Sequence, residues 1–193
     1  MSPARPNLLL SACLIGISAV LCLSVLPSNA AEPVAAAHIE AHLPNARLSG
    51  QGSYRWFGLK IYDAQLWIGD KAYSPSAPSA VPFALDLRYA RNLVGAKIAQ
   101  ASVDEMAHNG SGTAEQRQAW LLKMRELFPD VHDNTHITGV LLPGQGARFY
   151  LDGKLLGEVA DPAFADAFFG IWLNPKTSAP ALRSALLTGT SAR

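Results

Sequence analysis

The spacing of apolar residues changes period three times along this chain, and the order of those changes restricts the fold more than any other feature. From Arg47 to Gly69 the pattern is strand-like, RLSGQGSYRW followed by FGLKIYDAQLWIG. In the second run Phe57, Leu59, Ile61 and Trp67 lie on one side and Tyr62, Ala64, Leu66 and Ile68 on the other. Two apolar sides predict a central strand covered on both faces. Residues 71–82 (KAYSPSAPSAVP) are a loop by composition. Alternation returns at residues 81–89, with Phe83, Leu85, Leu87 and Tyr89 set against Asp86 and Arg88, which predicts a strand with one wetter face.

The period then lengthens to that of helices. Residues 93–108 carry Val94, Ile98, Ala101, Val103 and Met106, and Asn109-Gly110-Ser111-Gly112 ends the run. Thr113 and Gln116 form a capping box for a second helix with Trp120, Met124, Leu127 and Phe128 on one stripe, stopped at Pro129. Strands resume at residues 135–142, turn through Pro143-Gly144-Gln145-Gly146, and continue over 147–151 and 154–159 around Asp152-Gly153. Asp161 and Pro162 supply an N-cap and a first-turn proline for a helix with Phe164, Phe168, Ile171 and Trp172 on one side. Pro175 breaks it, and residues 180–187 form a last helix closed by Gly189. Strands, two helices, a meander and two helices make an α+β fold, an antiparallel sheet with helices packed on one face.

Residues 1–30 read differently. After Arg5 comes an uncharged run from Leu8 to Leu26, then Pro27-Ser28-Asn29-Ala30-Ala31, with small residues at the positions a signal peptidase reads. This predicts a secretory signal cut near Ala30-Ala31, an export that points to a periplasm, and no membrane span once the signal is gone; an uncleaved anchor is the rival reading. Cys13 in Leu10-Ser11-Ala12-Cys13 comes too early in the apolar run to be a lipoprotein acylation site. Both cysteines, Cys13 and Cys22, leave with the signal, so the exported part has neither a disulfide nor a thiolate site. Residues 31–46 (AEPVAAAHIEAHLPNA) read as an Ala-rich lead-in or short helix, and residues 47–190 as one domain. A net charge of +1, with 16% of residues charged, excludes a strongly basic nucleic-acid binder and a disordered chain.

Motifs of common chemistry are missing: there is no phosphate loop, no HExxH and no GxSxG. Asp130 to His136 (DVHDNTH) gathers possible metal ligands, but Asp and Asn between a helix and a strand ordinarily make turns. His38 and His42, four apart, are two ligands without an acidic third. No metal or cofactor is therefore expected. The residues with recognition potential are Tyr54, Arg55, Tyr62, Arg88, Tyr89 and Arg91. A guanidinium beside a phenol in an apolar cleft can hold a carboxylate or enolate through two parallel hydrogen bonds. Strand alternation lets at most one of Tyr54 and Arg55, and one of Arg88 and Tyr89, enter such a cleft.

Four stretches resemble the bacterial chalcone-isomerase-like proteins: GQGSYRWFGLKIYDAQLWIGD, LDLRYARNL, LPGQGARFYLDGKLLGEVADPAFADAFFGIWL and the closing ALRSALLTG. The resemblance implies an open-faced sandwich, an antiparallel sheet with helices on one side. Plant chalcone isomerases cyclise a chalcone to a flavanone with an Arg and with Tyr, Asn and Thr residues, and related members without that activity bind fatty acids with an Arg and a Tyr at the carboxylate. The arginine of the family's GxGxR stretch falls at Tyr54 here, with Arg55 displaced by one residue, which in a strand is a change of face. The family's Thr falls near Phe57, and its Tyr/Asn pair has no match over residues 93–100. What the resemblance implies is an exported, non-catalytic protein that binds a small apolar or carboxylate ligand such as a fatty acid, with Arg55, Arg91, Tyr54, Tyr62 and Tyr89 as candidate ligand-binding residues. An intramolecular lyase (isomerase) and a structural or partner-binding envelope protein are the alternatives.

Overall fold

The computed structural model describes residues 33–71 and 73–190; the predicted signal at residues 1–30 lies outside them. Six strands form one antiparallel sheet in simple sequence order: β1 (Arg47–Trp56), β2 (Leu59–Ile68), β3 (Phe83–Tyr89), β4 (His136–Leu142), β5 (Gly146–Leu151) and β6 (Lys154–Val159). Four helices pack on one face: α2 (Gly95–His108) and α3 (Ala114–Leu127) between β3 and β4, then α4 (Pro162–Leu173) and α5 (Pro180–Leu186) after β6. The α+β architecture read from the periodicities is the one observed.

Local chemistry sets the boundaries as expected. Thr113 and Gln116 exchange both bonds of the capping box, and Asp161 caps α4 through the N–H groups of Ala163 and Phe164. Asp152 and Gly153, both at positive φ, turn β5 into β6. The group at residues 130–136 serves turns and caps. Asp130 accepts from the Gly95 N–H at 2.8 Å, Thr135 Oγ1 accepts from the His132 N–H at 3.0 Å, and Asn134 takes a left-handed backbone. Among the described residues, no cluster of three or more His, Cys, Asp or Glu is placed to hold a metal ion.

The larger core lies under the four helices. Phe149 sits at its centre, with ring contacts to Phe128, Phe164 and Phe168. Each such ring contributes about 1.5–3 kcal/mol on burial. Helix α4 is buried on more than the predicted side, since Ala165, Ala167, Phe169 and Leu173 are covered as well. At Gly50 a Cβ would stand 2.1 Å from the Ala185 carbonyl oxygen, so the end of α5 rests directly on β1. The Gly50–Gly52 stretch thus serves a close approach, beside a bulge between Leu48 and Gly50.

The opposite face carries the second, smaller core, and here the structure adds to the reading. The lead-in folds back with a one-turn helix, α1 (Ala37–Glu40), and lays Ala35, Ile39 and Leu43 against Trp67, Ala84, Val140 and Tyr150. Strand β2 is accordingly covered on both sides only toward its end. Asp63 and Gln65 occupy the second face nearer its start and remain half-exposed.

Candidate functional site

Between the helical face of the sheet and helices α2 and α4 lies a cavity of about 470 Å³, within the ordinary size of a small-molecule site. Its floor is a row of three tyrosines. Pairing of β1 with β2 puts Tyr54 opposite Tyr62, and pairing of β2 with β3 puts Tyr62 opposite Tyr89. The rings of Tyr54 and Tyr62 stack at 5.2 Å, and those of Tyr62 and Tyr89 meet edge to face at 5.9 Å. Leu87 and Ile137 extend this floor, while Ile98 of α2 and Phe168 and Ile171 of α4 close over it.

Few polar groups interrupt the lining. The Tyr62 hydroxyl accepts a hydrogen bond from Trp172 Nε1 at 2.9 Å, which ties α4 to the sheet and fixes the phenol. Tyr62 lines the cavity, and its own proton has no acceptor among the described residues. Burial pushes the Tyr62 and Tyr89 hydroxyls far above the ordinary tyrosine range. Burial also raises Tyr54, with the negative Glu105 adding to the shift. All three are neutral donors across physiological pH.

The two charged residues of the lining stand on α2. Glu105 accepts from the Ser178 N–H and from Ser178 Oγ, both at 2.8 Å, so it organises the loop between α4 and α5. Lys97 is exposed at the other end of the lining, eight residues earlier, or about 12 Å along a helix axis. The cavity therefore has a cationic and an anionic end.

The structure brings Tyr54, Tyr62 and Tyr89 together and leaves both arginines outside the lining. Arg55 is exposed beyond Tyr54 and donates to the Gly58 carbonyl at 3.2 Å. Arg91 is half-buried in the segment after β3. Arg88 reaches Asp63 at 2.7 Å on the other face, together with Lys60 at 2.6 Å. Alternation decides each pair the same way: the phenol turns into the core and the guanidinium, far costlier to desolvate, turns to water. Lys97, Glu105 and Ser178 are absent from the sequence reading, and Trp172 enters it only as part of the apolar stripe of α4. The helical period puts Lys97 and Ala101 on one face of α2, but no local pattern joins them to Trp172 or Ser178.

The second face holds a polar cleft around Asp86. This buried carboxylate accepts from Thr138 Oγ1 at 2.7 Å and pairs with His136 Nδ1 at 2.8 Å. His38 Nε2 meets Thr138 Oγ1 at 2.8 Å, and His42 Nε2 meets the Tyr150 hydroxyl at 2.6 Å. These groups satisfy one another and dock the lead-in, whereas the cavity keeps an apolar volume with unspent donors. The cavity is the candidate site.

Comparison with known proteins gives the family and the fold. Residues 34–188 match the family model described as chalcone isomerase-like. An uncharacterized protein of Haemophilus influenzae is 28% identical over 141 residues, 73% of this chain and 67% of the relative. The crystal structure of a fatty-acid binding protein of Arabidopsis thaliana superposes with a TM-score of 0.57, over 77% of this chain and 90% of that one, at 14% identity; this is a likeness of fold.

Proposed function

The chain belongs to the chalcone isomerase-like family, and from that premise we propose that it is a non-catalytic binding protein for a small amphipathic carboxylate, best a fatty acid, held in the tyrosine-floored cavity. The observation that carries this reading is the chemistry of the lining. General acid–base catalysis is most effective with a group that titrates near the working pH. The cavity's phenols are instead shifted away from neutrality, and its one carboxylate, Glu105, is committed to Ser178. What remains is apolar volume, phenolic donors and a terminal ammonium. Alkyl burial contributes about 0.8 kcal/mol per CH₂. The carboxylate belongs at the Lys97 end, away from the Glu105 charge, with the chain running along the tyrosines. The fatty-acid binding protein from Arabidopsis supports this reading through shared fold.

Titration with a fluorescent fatty acid tests the proposal. Ala101→Trp fills the cavity from α2 and is expected to abolish binding without lowering the melting temperature. Lys97→Met is expected to weaken binding about tenfold, the scale of one charge-assisted hydrogen bond. Wild-type protein that ignores fatty acids but cyclises a chalcone would overturn the reading in favour of an isomerase. We also propose that the chain is exported and that residues 1–30 are removed, on the strength of the sequence pattern. N-terminal sequencing of the processed protein tests that, and a terminus at Met1 would sink it.

A further inference from the structure

The turn joining β1 to β2 is built against folding stability. Phe57 and Gly58 have φ of 47° and 78°, the geometry of a two-residue hairpin turn that favours Asn-Gly or Asp-Gly. Among the described residues, the other non-glycine positions at positive φ are Asn45, Asn134 and Asp152, the side chains that tolerate this backbone. Phe57 is the exception, and its ring is not repaid by burial: it is 87% exposed, beside Trp56 at 63% and Leu59 at 56%. A strained, exposed aromatic at a hairpin tip is a position that something other than packing maintains.

Register sorts the tip into two sides. Trp56 pairs with Leu59 on the helical side, and Trp56 also lines the cavity. Arg55 pairs with Lys60 on the other side, two cations directly opposed, an arrangement unfavourable in a sheet. Lys60 has a partner in Asp63 at 2.6 Å, while among the described residues Arg55 meets the Gly58 carbonyl and no carboxylate. An apolar edge bordered by cations is the pattern of a segment that sits at a lipid interface, rings among the upper acyl chains and cations at the phosphates.

We propose that the β1–β2 tip docks on an anionic lipid surface and places the mouth of the cavity, at Trp56, against the bilayer. The proposal goes beyond the ligand reading and does not depend on it. A chain beginning at Ala31 provides the test, since residues 33–190 carry the whole sheet and both cores, and the apolar run at residues 8–26 is then absent. Its probe is co-flotation with vesicles of phosphatidylcholine, with and without phosphatidylglycerol. Trp67, Trp120 and Trp172 are buried, so brominated acyl chains are expected to quench the Trp56 emission alone. Binding should require the anionic lipid and weaken with salt.

Phe57→Asn with Leu59→Ser should reduce vesicle binding about tenfold or more, the scale of losing two buried apolar side chains. The Asn alone should raise the melting temperature, because it relieves the turn. Neither residue lines the cavity, so affinity for a soluble fluorescent fatty acid should not change. Wild-type protein that stays off anionic vesicles at low salt overturns the proposal, as does vesicle binding that the tip variant leaves intact. Vesicle docking by a chain that binds no fatty acid upholds this proposal and fails the ligand reading.

Discussion

The two faces of the sheet solve the same problem with different materials. Under the four helices, aromatic rings fill a deep core and leave an apolar cavity floored by phenols. On the other face a fourteen-residue stretch, 33–46, does the covering, and it is fastened by the pairs His38–Thr138 and His42–Tyr150 over a much smaller apolar set. The first face is held by area and keeps three phenols on the wall of its cavity. The second is held by hydrogen bonds that consume its polar groups. A sheet covered on both sides by helices alone would need more chain, and one left bare would expose Trp67 and Val140, both now buried.

Substitutions can break this contrast. Phe149→Ala, at the centre of the helical side, is expected to cost about 3–5 kcal/mol in urea unfolding, through lost transfer energy and the cavity left behind. Asp86→Ala, the polar hub of the other side, should cost about 1–3 kcal/mol by leaving Thr138 without its buried acceptor and His136 without its partner. Equal costs, or a larger one at Asp86, would mean that the network rather than the aromatic core carries the fold.

Acid sharpens the comparison, because the three histidines with shifted titration, His38, His42 and His136, lie on the second face. The hydrogen bond that His136 donates to Asp86, helped by the carboxylate's charge, raises His136 above 6.5. Its stabilising contribution is complete below that ordinary value and is lost as pH rises through the raised one. Burial lowers His38, against the pull of Asp86, and lowers His42 with help from the Arg148 charge. Their contributions are complete above the ordinary value and are lost as pH falls through the lowered ones. Proton NMR should find His136 titrating above 6.5 and His38 and His42 below it. A single shared midpoint would remove the network from the picture.

Legibility in the sequence followed the range of the interaction. Much that depends on neighbours within a few residues was readable: the Thr113–Gln116 box, the Asp161-Pro162 start, the Asp152-Gly153 turn, and the alternation that sets Tyr54 against Arg55 and Tyr89 against Arg88; the Phe57-Gly58 turn was not, because Phe57 carries no turn signal and reads as strand. The covering role of residues 33–46 was not, because a one-turn Ala-rich helix has no period to detect and owes its place to partners about a hundred residues away. The same distance hid Trp172 from Tyr62 and Ser178 from Glu105. Family likeness suggested an arginine for the cleft, and the solvation of guanidinium, written in the alternation itself, put tyrosines there instead.

The strand order bears on how the chain reaches this state. All five neighbouring pairs in the sheet are consecutive in sequence, and every pairing but one is closed by a connection of fourteen residues or fewer. The exception is β3 with β4, whose partners stand on either side of the whole α2–α3 hairpin. Two meanders can form early and independently, while their union must close the longest loop before any contact rewards it. Folding should therefore be gated at that seam. In a chevron plot Leu87→Ala should slow the refolding limb, and an effect confined to unfolding would place the barrier elsewhere.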